Sequence, residues 1–486
     1  MRYLDLGVIA AYLAGITWFG AQFRSRQKTL KDYFLGGRTT PWWAIAFSIV
    51  SAETSTLTVI GTPALSFGGN FGFLQVVAGY LLARIVIAWL FIPHYFRGEM
   101  YTAYELMRIR FGERIRRLTA GSFLVLRALA EGVRVFAISI VVSIVLGTGE
   151  IASIVVIVCL TLFYTFEGGM TAVIWTDVVQ MFLYISGAVL SFFVILRHIP
   201  GGWDHVLAVA VPAGKFQVFD FGFALTRQFF STPYSFWAGV LGGCFLTTAS
   251  HGTEQLMVQR LLSARSLRES RTALLASWMV IFFQFTLFLV IGVLLFVYYR
   301  DSGIPAPIPA DRIYPEFIWR NLPPGVAGLV VAAILAAAMS NLSAALNSLA
   351  STSMMDFYKP FLARRGRQMP EARLLFLARW VTVIWGVILL AIGILARKWG
   401  SVLEAGLSIA SIIYGALLGV FLLGIGVGRV GETAAIWGMS AGLLVMLYVK
   451  FATTIAWTWY VMIGASVTTG VALLVSLFFT GARRNG

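Results

Sequence analysis

The chain has few charged residues and almost no cysteine or histidine. Of its 486 residues, 12% are charged, two are cysteine and four are histidine. Cys159 and Cys244 both fall in apolar stretches and are expected to pack as small apolar side chains, so no disulfide, redox pair or metal centre is predicted. No nucleophile grouped with a base and no glycine-rich nucleotide-binding loop is evident, so neither an enzyme nor a cofactor is expected.

Apolar residues are abundant instead. They make up 59% of the chain, and the mean hydropathy of +0.84 is too high for a soluble domain of this length. The chain is therefore predicted to be an all-α polytopic membrane protein, with a single transmembrane transporter domain over 1–486. A hydrocarbon core about 30 Å thick takes about 20 apolar residues per helix, which predicts about thirteen transmembrane helices. Their limits are 5–23, 42–66, 72–98, 118–146, 149–166, 170–196, 236–259, 273–299, 322–356, 375–396, 402–425, 432–449 and 455–480.

Lysine and arginine are unevenly distributed among the predicted loops, and the net charge is +16. They concentrate in 24–41, 97–117, 260–272 and 357–374, which lie on one side if the spans alternate. Because basic loops stay in the cytoplasm, the N-terminus is predicted outside the cell membrane and the C-terminus in the cytoplasm. Topology and contact with anionic lipid of the bilayer then explain the positive charge, so nucleic acid is not expected as a partner. No obligatory protein partner is implied.

Polar residues interrupt two of the predicted spans. Residues 45–66 read AIAFSIVSAETSTLTVIGTPAL, with Ser51, Glu53 and Thr54 near the centre, and residues 246–255 read LTTASHGTEQ. An unpaired carboxylate or unwound backbone is costly in hydrocarbon, so such a break is expected where it lines a cavity for ions or solute. Two interrupted helices at corresponding places in two halves indicate a secondary transporter.

The two halves of the chain share one pattern. Residues 42–196 and 236–425 each begin with a broken span and contain an unusually long third span, 118–146 and 322–356 respectively. This pattern predicts a LeuT-type 5+5 inverted repeat. An extra N-terminal helix with its cytoplasmic loop and two C-terminal helices account for the remainder: 1–41 and 426–486.

One face of the second long span carries small and polar residues. Ala337, Ser340, Asn341, Ala344 and Ser348 recur at intervals of three and four, so they share one side of a helix. This face either packs closely against neighbouring helices or supplies side-chain oxygens to sodium. Backbone carbonyls freed at the opposing break lack helical partners, and hard oxygen ligands suit such a cation. The second interpretation predicts a sodium site between the break and this face.

Several stretches resemble one known family in the same order and spacing. They are DYFLGGRTTPWWAIAFSIVSAETS (32–55), GGMTAVIWTDVVQ (168–180), VQRLLSAR (258–265), AAAMSNLSAALNS (336–348) and MDFYK (355–359). The chain resembles the sodium:solute symporter family, which includes the sodium/glucose cotransporters, the proline permease and the sialic acid transporters. The resemblance covers nearly the full length and implies Na+ as the coupling ion.

The resemblance also implies a sodium site. Backbone oxygens of Ser51 and Thr54 would face Ala337, Ser340 and Asn341, the last of which is usually serine or threonine in the family. Asparagine still offers an oxygen at this position, on a longer side chain.

A substrate pocket follows from the same resemblance. Glu53, Thr58 and Thr247 match pocket positions of the family's sugar transporters, and Ser250 and His251 stand where gating aromatic residues would lie. Glu53 and His251 are alternatively partners of each other across the two breaks.

Two positions differ from those that bind sugar in the sugar transporters, and two more are candidates for the substrate pocket and the ion exit. Ile281 and Leu407 replace the lysine and glutamine of sugar recognition, which argues against a hexose bound in the familiar way. Gln75 is either a pocket residue or an interhelical hydrogen-bond donor. Asp177 matches a family aspartate on the inner ion-exit side, or else caps the start of a helix.

The third core span contains the charged sequence RALAEGVRVF. Arg127 and Glu131 are four residues apart, and Glu131 and Arg134 are three apart, so ion pairs along one helix face are available. Either this triad is satisfied within the bundle, or Arg134 remains available for a bidentate pair with a substrate carboxylate.

These features favour a sodium-coupled secondary active symporter that imports a small polar organic solute by alternating access. Glu53, Glu131, Glu254 and His251, near membrane depth, leave open a proton-coupled symporter of an organic anion or sugar. A solute sensor is not expected, because the sequence ends at GARRNG without a signalling domain.

The predicted orientation is testable by cysteine labelling in a background where the two native cysteines are alanine. A cysteine at residue 2 should react with a membrane-impermeant reagent in intact cells, and one at residue 485 only after the cells are opened. Labelling of residue 485 but not residue 2 in intact cells would contradict the topology.

Overall fold

The computed structural model describes residues 3–23, 28–97, 100–146, 149–308, 310–396 and 402–481. Regular structure in these ranges is helical, apart from an isolated backbone bridge between Thr40 and Ala264. A helix satisfies its backbone hydrogen bonds within one segment, as a hydrocarbon environment requires. Residues 2 and 485, whose predicted sides define the orientation, lie outside the described residues.

The α-helices of the described chain follow one another in this order: α1 (Tyr3–Ala21), α2 (Leu30–Leu35), α3 (Trp42–Glu53), α4 (Thr56–Gly68), α5 (Phe73–Val86), α6 (Ile92–Tyr95), α7 (Ala103–Arg110), α8 (Glu113–Leu146), α9 (Glu150–Arg197), α10 (Gly202–Ala210), α11 (Arg227–Ser231), α12 (Phe236–Gly252), α13 (Gln255–Leu262), α14 (Leu267–Ser302), α15 (Ile313–Asn321), α16 (Val326–Thr352), α17 (Lys359–Arg364), α18 (Glu371–Ala396), α19 (Val402–Gly426), α20 (Glu432–Ala452) and α21 (Tyr460–Gly481).

Each predicted span overlaps at least one of these helices. The spans 149–166 and 170–196 share α9, which kinks where Gly169 adopts φ 55° and ψ −151°, a conformation suited to glycine. Within the described ranges, eight helices are long and apolar enough to cross a membrane, or nine if α3 and α4 form one bent span. A multi-pass helical protein is therefore confirmed, whereas the count of about thirteen stays a prediction, as does the subdivision of the domain.

The first predicted break is present between α3 and α4, whose axes differ by 65°. Thr54 and Ser55 are extended, and Ser55 and Thr58 cap the start of α4 reciprocally. This capping box satisfies N–H groups that the new helix leaves free. The carbonyls at the end of α3 must find partners elsewhere.

The second break falls inside the predicted segment 246–255. α12 ends at Gly252, Glu254 is extended, and α13 begins at Gln255. The break therefore places the Glu254 carboxylate, which is buried, between two helix ends.

α16 runs through the centre of the bundle, where it packs against α9, α8 and α3. Every residue in 330–352 is buried. Asp5 of α1 caps its N-terminus, because Asp5 Oδ1 accepts hydrogen bonds from the N–H groups of Gly325 at 2.7 Å and Gly328 at 2.6 Å. The N-terminal helix is thereby attached to the core helix that carries the predicted sodium ligands.

Small residues let α5 and α12 approach closely. A Cβ atom on Gly79 would lie 2.3 Å from the Val240 carbonyl oxygen, and one on Gly243 would lie 2.3 Å from that of Val76. Larger side chains there would separate the helices. This contact holds α5, which carries Arg84, against the second broken helix.

Cysteine packing differs from expectation at one position. Cys159 and Cys244 are both free, but Cys159 is exposed and only Cys244 is half-buried. Cys159 is thus not a packing residue within this chain. Large apolar side chains such as Trp89, Phe193 and Leu444 are also exposed, which suits contact with lipid, although the bilayer stays a predicted partner.

Candidate functional site

A cavity of about 210 Å³ lies beside both breaks. It is lined from several helices, and the lining includes all but one of the predicted substrate residues, together with a predicted gate residue. These residues are Glu53, Thr58, Arg134, Thr247, Ser250 and His251. The two interrupted helices therefore contribute to one shared cavity.

Gln75 is the predicted substrate residue outside this lining. Its side chain donates to the carbonyls of Tyr234 at 2.8 Å and Gly72 at 3.2 Å, and accepts from the N–H of Asp220 at 3.2 Å. These contacts agree with its alternative role as a structural hydrogen-bond donor. Of the two positions that differ from sugar transporters, Ile281 is fully buried, and the side chain of Leu407 lies outside the described residues.

Glu53 takes part in a charged cluster on one side of the cavity. Its Oε2 accepts a hydrogen bond from Arg84 Nη2 at 2.6 Å and lies 3.3 Å from His251 Nε2. Arg84 is fully buried and also donates to Ser277 Oγ at 3.1 Å. Ser250 Oγ lies 2.9 Å from the other ring nitrogen of His251. The two broken helices are thus joined through a carboxylate and an imidazole.

A second charged cluster occupies another side. Arg127 pairs with Glu131 and Glu254, both at 3.1 Å, and Tyr414 donates a hydrogen bond to Glu254. Arg134 Nη1 pairs with Glu131 Oε2 at 3.1 Å. The side chain of Arg134 is 28% exposed, whereas those of Arg127 and Glu131 are 5% and 1% exposed. Arg127 and Arg134 both line the cavity, and Arg134 is the more exposed of the two.

Asp177 belongs to a buried group around the predicted sodium residues. Its Oδ1 accepts from Ser340 Oγ at 2.6 Å, and its Oδ2 accepts from Ser48 and, at 2.8 Å, from Arg260 Nη2. Ser340 Oγ is also 2.7 Å from Ser51 Oγ. Hydroxyl and carboxylate oxygens from three helices thus converge here, which is the donor set that a hard cation requires.

Asn341 lies between the first break and the second charged cluster. Its Nδ2 donates to the carbonyls of Ala52 at 2.8 Å and Thr54 at 3.1 Å. Its Oδ1 accepts from Arg127 Nη2 at 3.2 Å and Arg134 Nη1 at 3.1 Å. The structure therefore places the Thr54 carbonyl at the predicted site. Ala337, one turn earlier on α16, is fully buried.

Several residues in this region did not emerge from the sequence as site residues, and two of them are buried arginines. Arg84 and Arg260 are each fully buried and each pairs with a predicted site carboxylate, Glu53 or Asp177. Arg84 falls within the apolar span 72–98, which is itself a signal because a buried cation requires a partner. Arg260 falls in the basic segment 260–272, which is predicted as a loop and gives no such signal. For neither arginine does the sequence reveal which carboxylate on another helix is the partner.

A model of the sodium:solute symporter family matches residues 33–442 of this chain. The chain belongs to the sodium:solute symporter family. The sodium/sialic acid symporter SiaT of Proteus mirabilis is 28% identical over 99% of this chain and 96% of its own length. The sodium-coupled monocarboxylate transporter 1 of Mus musculus is 29% identical over 87% of this chain and 68% of its own length.

The fold is similar to a solved structure of a Na+-coupled sialic acid symporter in a substrate-bound outward-open state. The TM-score is 0.87 at 27% identity, and the match covers 98% of both chains. The predicted LeuT-type fold is confirmed. The protein is a multi-pass membrane transporter that couples a small-molecule solute to sodium, and not an enzyme. These relatives do not favour the proton-coupled alternative.

Ser340 provides a direct test of the predicted sodium site. Ser340→Ala removes the hydroxyl between Ser51 and Asp177, so the sodium concentration that half-maximally stabilises the purified protein should rise about fivefold, equivalent to about 1 kcal/mol. The measurement is thermal unfolding in sodium titrations, with choline keeping the ionic strength constant. Ser348→Ala is the matched control, because Ser348 Oγ bonds within its own helix to the carbonyl of Ala345. An unchanged sodium response in folded Ser340→Ala protein would remove this residue from the site.

Proposed function

We propose that this protein imports a small polar organic solute carrying a carboxylate, together with sodium, by alternating access across the cell membrane. In this proposal the N-terminus lies outside and the C-terminus in the cytoplasm. Sodium binds between the first break and the polar face of α16, and the solute binds in the adjoining cavity.

The observation that carries the solute class is the accessible guanidinium of Arg134. Its two described polar contacts, to Glu131 and Asn341, both use Nη1. The partly exposed side chain therefore offers its other nitrogens to the cavity, where a carboxylate could form a paired contact. The relatives named for sialic acid and monocarboxylates are consistent with an anionic solute.

The remaining lining suits a solute with both polar and apolar parts. Thr58, Thr247 and Ser411 contribute hydroxyl groups, and Phe73 and Trp457 contribute aromatic surface. At about 210 Å³ the cavity is smaller than the roughly 300 to 1,000 Å³ of sites for drug-sized ligands. A compact solute is therefore favoured.

Sodium supplies enough free energy for concentrative uptake. One sodium ion crossing 100 mV provides about 2.3 kcal/mol, and a tenfold sodium gradient adds about 1.4 kcal/mol. A carboxylate that enters with one sodium ion carries no net charge across the membrane, so the sodium gradient alone acts and sustains about tenfold accumulation. A second sodium ion would add both contributions, about 3.7 kcal/mol, and would raise that limit by roughly a few hundredfold.

The carboxylate proposal is tested with acid and amide pairs. Thermal unfolding is followed in saturating sodium during separate titrations of pyruvate, N-acetylneuraminic acid and the neutral amide of each acid. At least one acid should stabilise the protein more than its amide. Arg134→Gln should raise the concentration of that acid needed for half-maximal stabilisation about tenfold or more, because a charge-assisted hydrogen bond contributes roughly 1.5 to 3 kcal/mol.

Arg320→Gln is the matched control for this measurement, since Arg320 is exposed on α15 and pairs with Glu316. Equal stabilisation by acids and amides would contradict an anionic solute. A destabilised Arg134→Gln protein with unchanged preference for the acid would instead assign Arg134 to the structural triad.

A further inference from the structure

The amide of Asn341 has a defined orientation. Its nitrogen faces two carbonyl oxygens, of Ala52 and Thr54, and its oxygen faces two guanidinium groups, of Arg127 and Arg134. The reversed amide would place its oxygen against both carbonyls and its N–H groups against both cations. All four contacts therefore favour the same orientation, in a residue that is only 2% exposed.

This orientation is unfavourable for a cation at the break. A sodium ion that used the Thr54 carbonyl, a predicted ligand, or the neighbouring Ala52 carbonyl would approach the N–H groups that now donate hydrogen bonds to those oxygens. The N–H groups carry partial positive charge, so ion and amide compete for the same lone pairs. If the amide turns over, Asn341 Oδ1 faces the ion as a ligand instead.

The same rotation changes the surroundings of Arg134. When Oδ1 turns to the ion, Arg127 and Arg134 both lose an acceptor. Arg127 keeps Glu131 and Glu254, whereas Arg134 keeps only Glu131 among its described partners. Arg134 is also the more exposed of the two, so it is the guanidinium that gains most from a new acceptor in the cavity.

We propose that Asn341 couples the two sites: sodium at the break turns its amide, and this rotation releases Arg134 to bind the carboxylate of the solute. The proposal rests on the proposed function for the identity of the solute. By linkage, a carboxylate on Arg134 favours the turned amide and so tightens sodium binding to the same degree. Serine at this position could offer an oxygen to the ion, but its single short hydroxyl could not bridge the carbonyls and both guanidinium groups.

The first experiment uses sodium alone, so it does not depend on the solute. Sodium is titrated into the purified full-length protein, wild type and variants, at constant ionic strength with choline, and stabilisation is measured. Arg134→Gln removes a competitor for Asn341 Oδ1 and should lower the half-saturating sodium concentration about fivefold. In an Asn341→Ser background the same substitution should have no effect, so the two changes are non-additive.

Asn347→Ser is the matched control, because this asparagine also lies on α16 but its Nδ2 contacts Met170 Sδ at 3.0 Å. In the Asn347→Ser background, Arg134→Gln should still tighten sodium binding. Unchanged sodium affinity in Arg134→Gln, or equal effects of Arg134→Gln in both serine backgrounds, would overturn the coupling role of Asn341.

The second experiment adds pyruvate or N-acetylneuraminic acid to wild type and Asn341→Ser. The acid should lower the half-saturating sodium concentration of the wild type severalfold and leave that of Asn341→Ser unchanged. Equal lowering in both proteins would overturn the coupling. If the sodium-alone result holds but neither acid binds the wild type, the coupling through Asn341 is retained and the proposed solute class fails.

Discussion

The structure depends on one constraint: backbone groups and charges released in an apolar interior must find partners there. The two breaks, at Thr54 and Ser55 and at Thr253 and Glu254, create such groups in the middle of the bundle. The carbonyls of the first break bind the amide of Asn341, and the carboxylate of the second binds Arg127. The polar faces of α8 and α16 are therefore directed towards the breaks.

The charged side chains that the structure describes around the cavity and beside the predicted sodium residues form ion pairs, and Arg134 is the most exposed of them. Glu53 is satisfied by Arg84 and His251, and Asp177 by Arg260 and two hydroxyl groups. The Arg134 side chain is partly exposed, and it shares the Asn341 side-chain oxygen with Arg127. A residue of this kind can exchange partners at low cost, which is what binding and release of a charged solute require.

Much of this arrangement could be predicted from the sequence. The breaks are visible because polar residues interrupt apolar runs, and the family motifs identify the fold. The proximity of Glu53 and His251 followed from placing both breaks at one site. The roles of Arg84 and Arg260 could not be predicted, because each pairs with a carboxylate on another helix. Which side chains of two helices meet is set by how the helices pack. The partners of Gln75 could not be predicted for the same reason. Its side chain forms hydrogen bonds with the backbone of Tyr234 and Asp220 and does not line the cavity.

The central claim is that sodium, bound beside the first break, drives uptake of an anionic solute. The most direct measurement is uptake into vesicles of whichever of pyruvate or N-acetylneuraminic acid binds, across pH 5 to 8, with sodium outside or replaced by choline. The account predicts uptake that requires sodium at every pH and persists when any proton gradient is collapsed. Uptake in choline that follows an imposed proton gradient would contradict it.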